Sequence, residues 1–548
     1  MTCPDPPDTR AQTHTSLRAA HASGPARPAL IDQNVGDLLR RAVHLGPERP
    51  ALVEGAEIAA ARRRWTYAEL FRDASSCARM LLDSFKPGSR IAVWSQNLPE
   101  FQVLQYGIAL AGMVMVTVNP AFRRREVRYV LNRAEVSACF AASAYRDRSP
   151  LLIAEDLLPE LRHLRLVRPI DDLLEQCRLY VADSRDLPVV DPFGPAQILF
   201  TSGTTGDPKG AVLSHRSMTN NVSHAATIIA AGNETAPVWL ASLPMFHVAS
   251  CVVATLGTAS LRGALVTPPR FDAGLALRLI EEERVTTMNQ VPSLVAAIID
   301  HPGRPVRDLS SWTSVMVGGA PVPEQLARRL QDEHGITTVI GYGMTEAAQI
   351  TMTRAEDTPR DKSETCGQPM PCVEVKIVDP DSGAQRDLGE VGEVLTRGYH
   401  TLMGYYGDLE ATDNALAGGW LHTGDLGSLD DRGYLQIRGR AKDMIIRSGE
   451  NVYPAEVEDQ LMLLPGVTET AVVGLPDKEH GEIVAAFVKG DGADAASLDS
   501  SLRDVLTGYK VPSKWFAVED FPRTPSGKIR KFVLRDEWLA GRYTEMGR

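Results

Sequence analysis

The stretch Thr201-Ser202-Gly203-Thr204-Thr205-Gly206-Asp207-Pro208-Lys209-Gly210 gathers hydroxyls, glycines and an ammonium group in a few residues. Glycines let the backbone approach an anion closely. Hydroxyls and exposed amides can then donate to phosphate oxygens, while Lys209 adds charge. The apolar run Gln197-Ile198-Leu199-Phe200 precedes it directly, so a buried strand would aim the loop. The spacing is not that of a Walker A loop, because Lys209 is not preceded by Gly and followed by Ser or Thr. A flexible surface loop is the bland alternative; the strand before and the Pro-Lys-Gly closure behind speak against it.

Three further clusters carry suitable chemistry. Gly341-Tyr342-Gly343-Met344-Thr345-Glu346 combines an aromatic face that can pack on a base, a hydroxyl that can donate to phosphate, and a hard oxygen ligand for Mg²⁺. Alone it would be a turn with a carboxylate. Gly419-Trp420-Leu421-His422-Thr423-Gly424-Asp425 ends on a carboxylate, and a lone Thr-Gly-Asp is usually a turn. Near the C-terminus, Pro522-Arg523-Thr524-Pro525-Ser526-Gly527-Lys528-Ile529-Arg530-Lys531 reads as a solvated charge run unless something anionic meets it.

Taken together, and in this order, the motifs resemble the adenylate-forming superfamily of acyl-CoA synthetases, luciferases and peptide-synthetase adenylation domains. The resemblance extends over about residues 35–531, most closely to medium-chain fatty acyl-CoA synthetases. It implies ATP, Mg²⁺ and CoA as reactants. Residues 201–209 would hold the phosphates. Gly319, Ala320 and Pro321, in Gly318-Gly319-Ala320-Pro321, would face adenine, Tyr342 would stack on it, and Gly341, Gly343 and Met344 would also bind the nucleotide. Thr345 would touch the α-phosphate, Glu346 would hold the metal, and Asp425 with Arg440 would bind the ribose. Lys528 would bridge the acid's carboxylate and the α-phosphate, where a cation must neutralise the charge between two anions. Lys442 would be the hinge pivot. Rotation there would bring in Arg447, Ser448, Gly449 and Glu450 to line a CoA tunnel; Ser448 stands where many relatives carry the first of two glycines. His247, Val248 and Ala249 would border the acyl channel. No acidic residue occurs over residues 243–250, which argues against an amino acid as substrate.

The elements that must position these residues are legible in outline. Short apolar runs such as Ile91-Ala92-Val93-Trp94 and Val114-Met115-Val116-Thr117-Val118 alternate with helical spacing over residues 99–111, 273–283 and 323–333, with Asp272 as an N-cap. That predicts parallel α/β units. After residue 361 the runs alternate polar and apolar, predicting an antiparallel β subdomain. The expected architecture is α/β: a loose tail over residues 1–30, a large AMP-binding domain of two α/β subdomains plus a β subdomain over residues 31–439, a hinge at residues 440–442, and a mobile α+β domain over residues 443–548.

Bulk properties fit a large globular enzyme and exclude other classes. The chain has 548 residues, 44% apolar and 23% charged, and a net charge of −11. Such an acidic chain offers no field for nucleic acid or an anionic membrane. The longest apolar run, residues 107–118, is shorter than the ~20 residues of a membrane span. Seven scattered cysteines without tight spacing fit reduced thiols, and the expected compartment is cytoplasmic. An aromatic acid as substrate, a carrier protein as acceptor, a degenerate adenylate-binding protein, and the oligomeric state are left open by the sequence.

Overall fold

The computed structural model describes residues 19–201, 208–230, 235–448, 450–490, 494–523 and 529–547. Within them, two largely parallel sheets organise the large domain. A seven-stranded sheet carries Val114–Thr117 at its centre, flanked in parallel by Arg90–Trp94 and Pro195–Thr201, with Ala138–Ala141 parallel to Arg90–Trp94 on its far side. A nine-stranded sheet carries Thr287–Gln290, Ser314–Gly318 and Thr337–Met344 in parallel register. Its strand residues from Thr287 to Gln290 and from Ser314 to Gly318 are all buried, as expected for sheets covered on both faces. Between the sheets lies the helix Pro99–Leu110, buried along its whole length and started by a proline in its first turn. It packs against Tyr67–Ser84, which begins at a Thr66–Glu69 capping box. Asp272 caps Ala273–Glu282, accepting from the Leu275 N–H at 2.7 Å.

A five-stranded antiparallel sheet built on Val373–Val378, Gly392–Gly398, Leu421–Leu429 and Leu435–Arg440 forms the β subdomain. The C-terminal unit is α+β. In its strand Glu469–Asp477, Val472 packs in one apolar cluster and Ala471 and Val473 in another, the period of two that lets one sheet serve two layers. Among the described residues, no helix is long and apolar enough to cross a membrane.

Several expectations need correction. Residues 19–30 are not all loose: His21–Ser23 pairs antiparallel with Val373–Val378, and Ala20 and Ala22 are buried. Residues 1–18 lie outside the described residues. The helix expected over 323–333 is α-helical only over Glu324–Arg328 and continues as a π-turn over Arg329–Glu333. Neither of the two clusters that alone would read as turns is one: Gly341 to Met344 completes the strand Thr337–Met344, and Thr423-Gly424-Asp425 sits inside the strand Leu421–Leu429.

Candidate active site

Thr201, Gly318 and Gly341 to Met344 lie at the carboxyl ends of strands in the two largely parallel sheets, where open α/β sheets present their crevice. Gly318 and Gly341 are direct neighbours on adjacent strands. A Cβ on Gly318 would lie 2.6 Å from the Gly341 carbonyl oxygen, so the approach needs glycine. The exposed loop of Gly319, Ala320 and Pro321 follows at once, with Gly319 at φ +78°. Thr337–Met344 then changes register between Tyr342 and Gly343 as it pairs with Ala348–Met352. Such a bulge re-aims side chains. It also brings Gly343 so near the partner strand that a Cβ would lie 1.8 Å from the Ala348 oxygen.

Two polar groups result. In the first, the Tyr342 hydroxyl donates to Asp425 Oδ2 at 2.7 Å, and Arg440 Nε meets Asp425 Oδ1 at 2.9 Å. Asp425 and Arg440 face each other across the antiparallel pair that holds them. Asp425 is held further by its own N–H, which donates to Thr423 Oγ1 at 3.1 Å. Burial and then the Asp425 charge push the Tyr342 phenol well above its usual pKa, so it stays a donor. Asp425 is 8% exposed and Arg440 43%, so water screens the ion pair.

In the second group, Tyr405 donates to Glu346 Oε1 at 2.9 Å, and the Lys209 ammonium stands 5.3 Å from the centre of the Tyr405 ring. The short strand Gly404–Tyr405 pairs with Lys209–Ser214, which fixes Tyr405 beside Lys209. Burial raises the Glu346 carboxyl above the ordinary range, and the Tyr405 bond opposes the shift. A buried carboxylate disfavoured by its surroundings gains from an adjacent cation. One such oxygen donor fits Mg²⁺, which keeps waters and takes its other ligands from phosphates. Sequence reasoning missed Tyr405; its only signal was the Gly404-Tyr405-Tyr406-Gly407 cluster.

In the segment expected to border the acid, His247 precedes a π-helical turn over Ala249–Ala254. The Ala249 N–H donates to His247 Nδ1 at 3.2 Å, and Asn289 Nδ2 donates to the Ala249 carbonyl at 2.8 Å. Val248 is buried beside Met245 and Cys251 in the main core, while Ala249 is half-buried.

A family model described as AMP-binding enzyme matches residues 39–406, and one described as AMP-binding enzyme C-terminal domain matches residues 456–528. The chain belongs to the AMP-binding enzyme family. A 3-[(3aS,4S,7aS)-7a-methyl-1,5-dioxo-octahydro-1H-inden-4-yl]propanoyl:CoA ligase of Rhodococcus jostii (strain RHA1) is 35% identical, over 86% of this chain and 94% of its own. A mitochondrial medium-chain acyl-CoA ligase, ACSF2, of Danio rerio is 32% identical, over 86% and 84%. Among solved structures, ATP-bound MatB from Rhodopseudomonas palustris superposes with a TM-score of 0.83 at 29% identity, over 93% of this chain and 100% of its own. The protein is an ATP-dependent, AMP-forming acyl-CoA ligase.

The remaining predicted residues of the ligase are placed as follows. Thr201 ends its strand, with its hydroxyl 3.4 Å from the Lys209 carbonyl oxygen; Pro208 is half-buried. Thr345 and Met344 are half-buried beside buried Glu346. Ser202, Gly203, Thr204, Thr205, Gly206, Asp207, Gly449 and Lys528 lie outside the described residues. Lys442 sits in a single 3₁₀ turn, Ala441–Asp443, immediately after Arg440. Arg447 and Glu450 pair across a hairpin with Ser448 at its tip.

Proposed function

We propose that the ligase activates a fatty acid of intermediate chain length as its acyl-adenylate and transfers the acyl group to CoA. The observation that carries this reading is the gate: Val248 and Ala249 present small apolar side chains, and no carboxylate stands over residues 243–250 to pair with an α-amino group. In the proposed mechanism, Asp425 and Arg440 receive the ribose, and Tyr342 offers its ring to adenine. Thr345 and residues 201–209 donate to the phosphates. Mg²⁺, when bound at Glu346, supplies charge neutralisation on the phosphate oxygens. Lys528 holds the carboxylate against the α-phosphate during adenylation. The carboxylate oxygen attacks phosphorus and pyrophosphate leaves; the CoA thiolate then attacks the acyl carbon and AMP leaves. Lys442 is the pivot between these steps, and residues 447–450 line the thiol's approach.

A pyrophosphate-release panel of fatty, aromatic and amino acids tests the substrate. Intermediate fatty acids should give the highest kcat/KM; an amino acid at the top would overturn the reading. The residue roles are tested by running each half-reaction alone. Lys528→Ala should slow acyl-AMP formation by roughly 10²–10³-fold, the scale for one positioned electrostatic group, yet still convert supplied acyl-AMP. Lys442→Pro should do the opposite, because a locked φ restricts the pivot. Equal damage to both steps by both variants would refute the rotation.

A further inference from the structure

The strands Ile445–Arg447 and Glu450–Val452 pair Arg447 with Glu450, and Ser448 follows Arg447 at the turn. Two-residue hairpin loops that follow the strand twist need positive φ at one or both central residues, which is why Asn, Asp and Gly dominate them. Ser448, the described residue of this turn, stands at φ +53°. Glycine would carry this backbone without penalty, whereas a residue with a Cβ needs support from elsewhere.

That support comes from one residue. The Ser448 N–H donates to the His480 carbonyl oxygen at 2.9 Å, and the Ser448 hydroxyl meets His480 Nδ1 at 2.9 Å. His480 is itself anchored in the turn between Glu469–Asp477 and Gly481–Lys489. There Asp477 Oδ1 accepts from the N–H groups of Glu479 and His480 at 2.9 and 2.8 Å. Arg447 fastens the other side of the tip: it pairs with Gly481, and its Nη1 donates to the Tyr509 carbonyl at 2.8 Å. The hairpin tip is thus docked on the neighbouring turn, with the imidazole of His480 gripping the strained residue.

We infer that His480 is a positioning residue for thioester formation, acting through Ser448 to hold the hairpin tip in its left-handed turn. This rests on the reading of residues 447–450 as the loop that lines the path of CoA. Serine at the tip makes the turn depend on a partner, and His480 is that partner. The imidazole touches no reacting atom; it sets the shape of the loop that does meet the thiol substrate.

The test uses the full-length enzyme in two assays: ATP–pyrophosphate exchange for adenylation, and acyl-CoA formation from supplied acyl-AMP across CoA concentrations. His480→Ala should leave exchange unchanged and lower kcat/KM for CoA by about fivefold, the scale of one lost hydrogen bond. His480→Asn, whose Oδ1 can accept from the Ser448 hydroxyl, should stay near the parent. Ser448→Gly placed in the His480→Ala background should restore the loss, because glycine holds the turn unaided. No rescue by Ser448→Gly would overturn the inference, since His480 would then act elsewhere. So would a normal His480→Ala enzyme beside a Ser448→Val enzyme impaired only in thioester formation, a β-branched residue being an outlier at positive φ; the loop reading would survive that result. If Ser448→Val also left both half-reactions unchanged, the loop reading itself would fall.

Discussion

Replacing Asp425 by Asn should separate the parts this carboxylate plays. The amide keeps the volume and removes the charge. In the free protein, two partners feel the change: the Tyr342 hydroxyl at 2.7 Å and Arg440 Nε at 2.9 Å. Bonds to a charged acceptor are worth about 1.5–3 kcal/mol and neutral ones about 0.5–1.5. With Arg440 partly in water, the folding cost should stay near 1–2 kcal/mol. If the two ribose hydroxyls donate to this carboxylate in the nucleotide complex, they feel the same loss, about 2–3 kcal/mol together, and AMP and ATP should bind roughly 30–150-fold more weakly. Calorimetric titration reads this, and 2′-deoxyATP sharpens it. The parent should lose about tenfold on losing the 2′-hydroxyl, and Asp425→Asn only about threefold. A variant that binds both nucleotides more weakly by one common factor, with the parent's discrimination intact, would refute direct ribose contact and leave Asp425 only as an anchor for Tyr342 and Arg440.

Glu346→Gln should keep the Tyr405 bond while removing the metal's charge partner; adenylation should slow by roughly 10²-fold or more, and the Mg²⁺ concentration for half-maximal rate should rise. An unchanged Mg²⁺ dependence would remove Glu346 from the metal site. Gly343→Ala should destabilise the protein severely, since its Cβ would lie 1.8 Å from the Ala348 oxygen; a normal denaturation midpoint would contradict the bulge. Burial pushes His215 down to about 4 and His400 to about 3. Both stay neutral in the fold while the unfolded chain protonates below about 6.5, so their contribution is complete above that pH and is lost on acidification towards 4. The loss is about 1.4 kcal/mol per pH unit for each. Melting temperatures between pH 7 and 4.5 should fall accordingly, and His400→Gln should flatten the slope; an identical slope would remove His400 from the account.

The alternation of buried strand and helix was readable because apolar runs, Pro99 and Asp272 are local signals. The β subdomain was readable from its period of two. What stayed hidden depends on distant partners. Tyr342 and Asp425 lie 83 residues apart, and nothing local announces that a hydroxyl and a carboxylate will meet; the separate roles expected of them came from resemblance. Tyr405 looked like one of two tyrosines between turn glycines, and only the pairing of Gly404–Tyr405 with Lys209–Ser214 gives it Glu346 and Lys209 as neighbours. Residues 19–24 carry only a short alternation of alanine with His21 and Ser23, too brief to announce a strand, and the sheet edge that orders them is supplied from elsewhere in the chain.

That edge strand has a consequence during synthesis. His21 meets Glu374 at 3.0 Å across 353 residues of sequence. At a synthesis rate of about 5–20 residues per second, the N-terminal segment waits roughly 20–70 s for its partner to be made. Throughout that interval the backbone amides of residues 21–23 have no ladder to join, while both parallel sheets can begin to close around the helix Pro99–Leu110. The first strand among the described residues therefore waits to be seated, added to the side of a sheet whose other members were all translated after it.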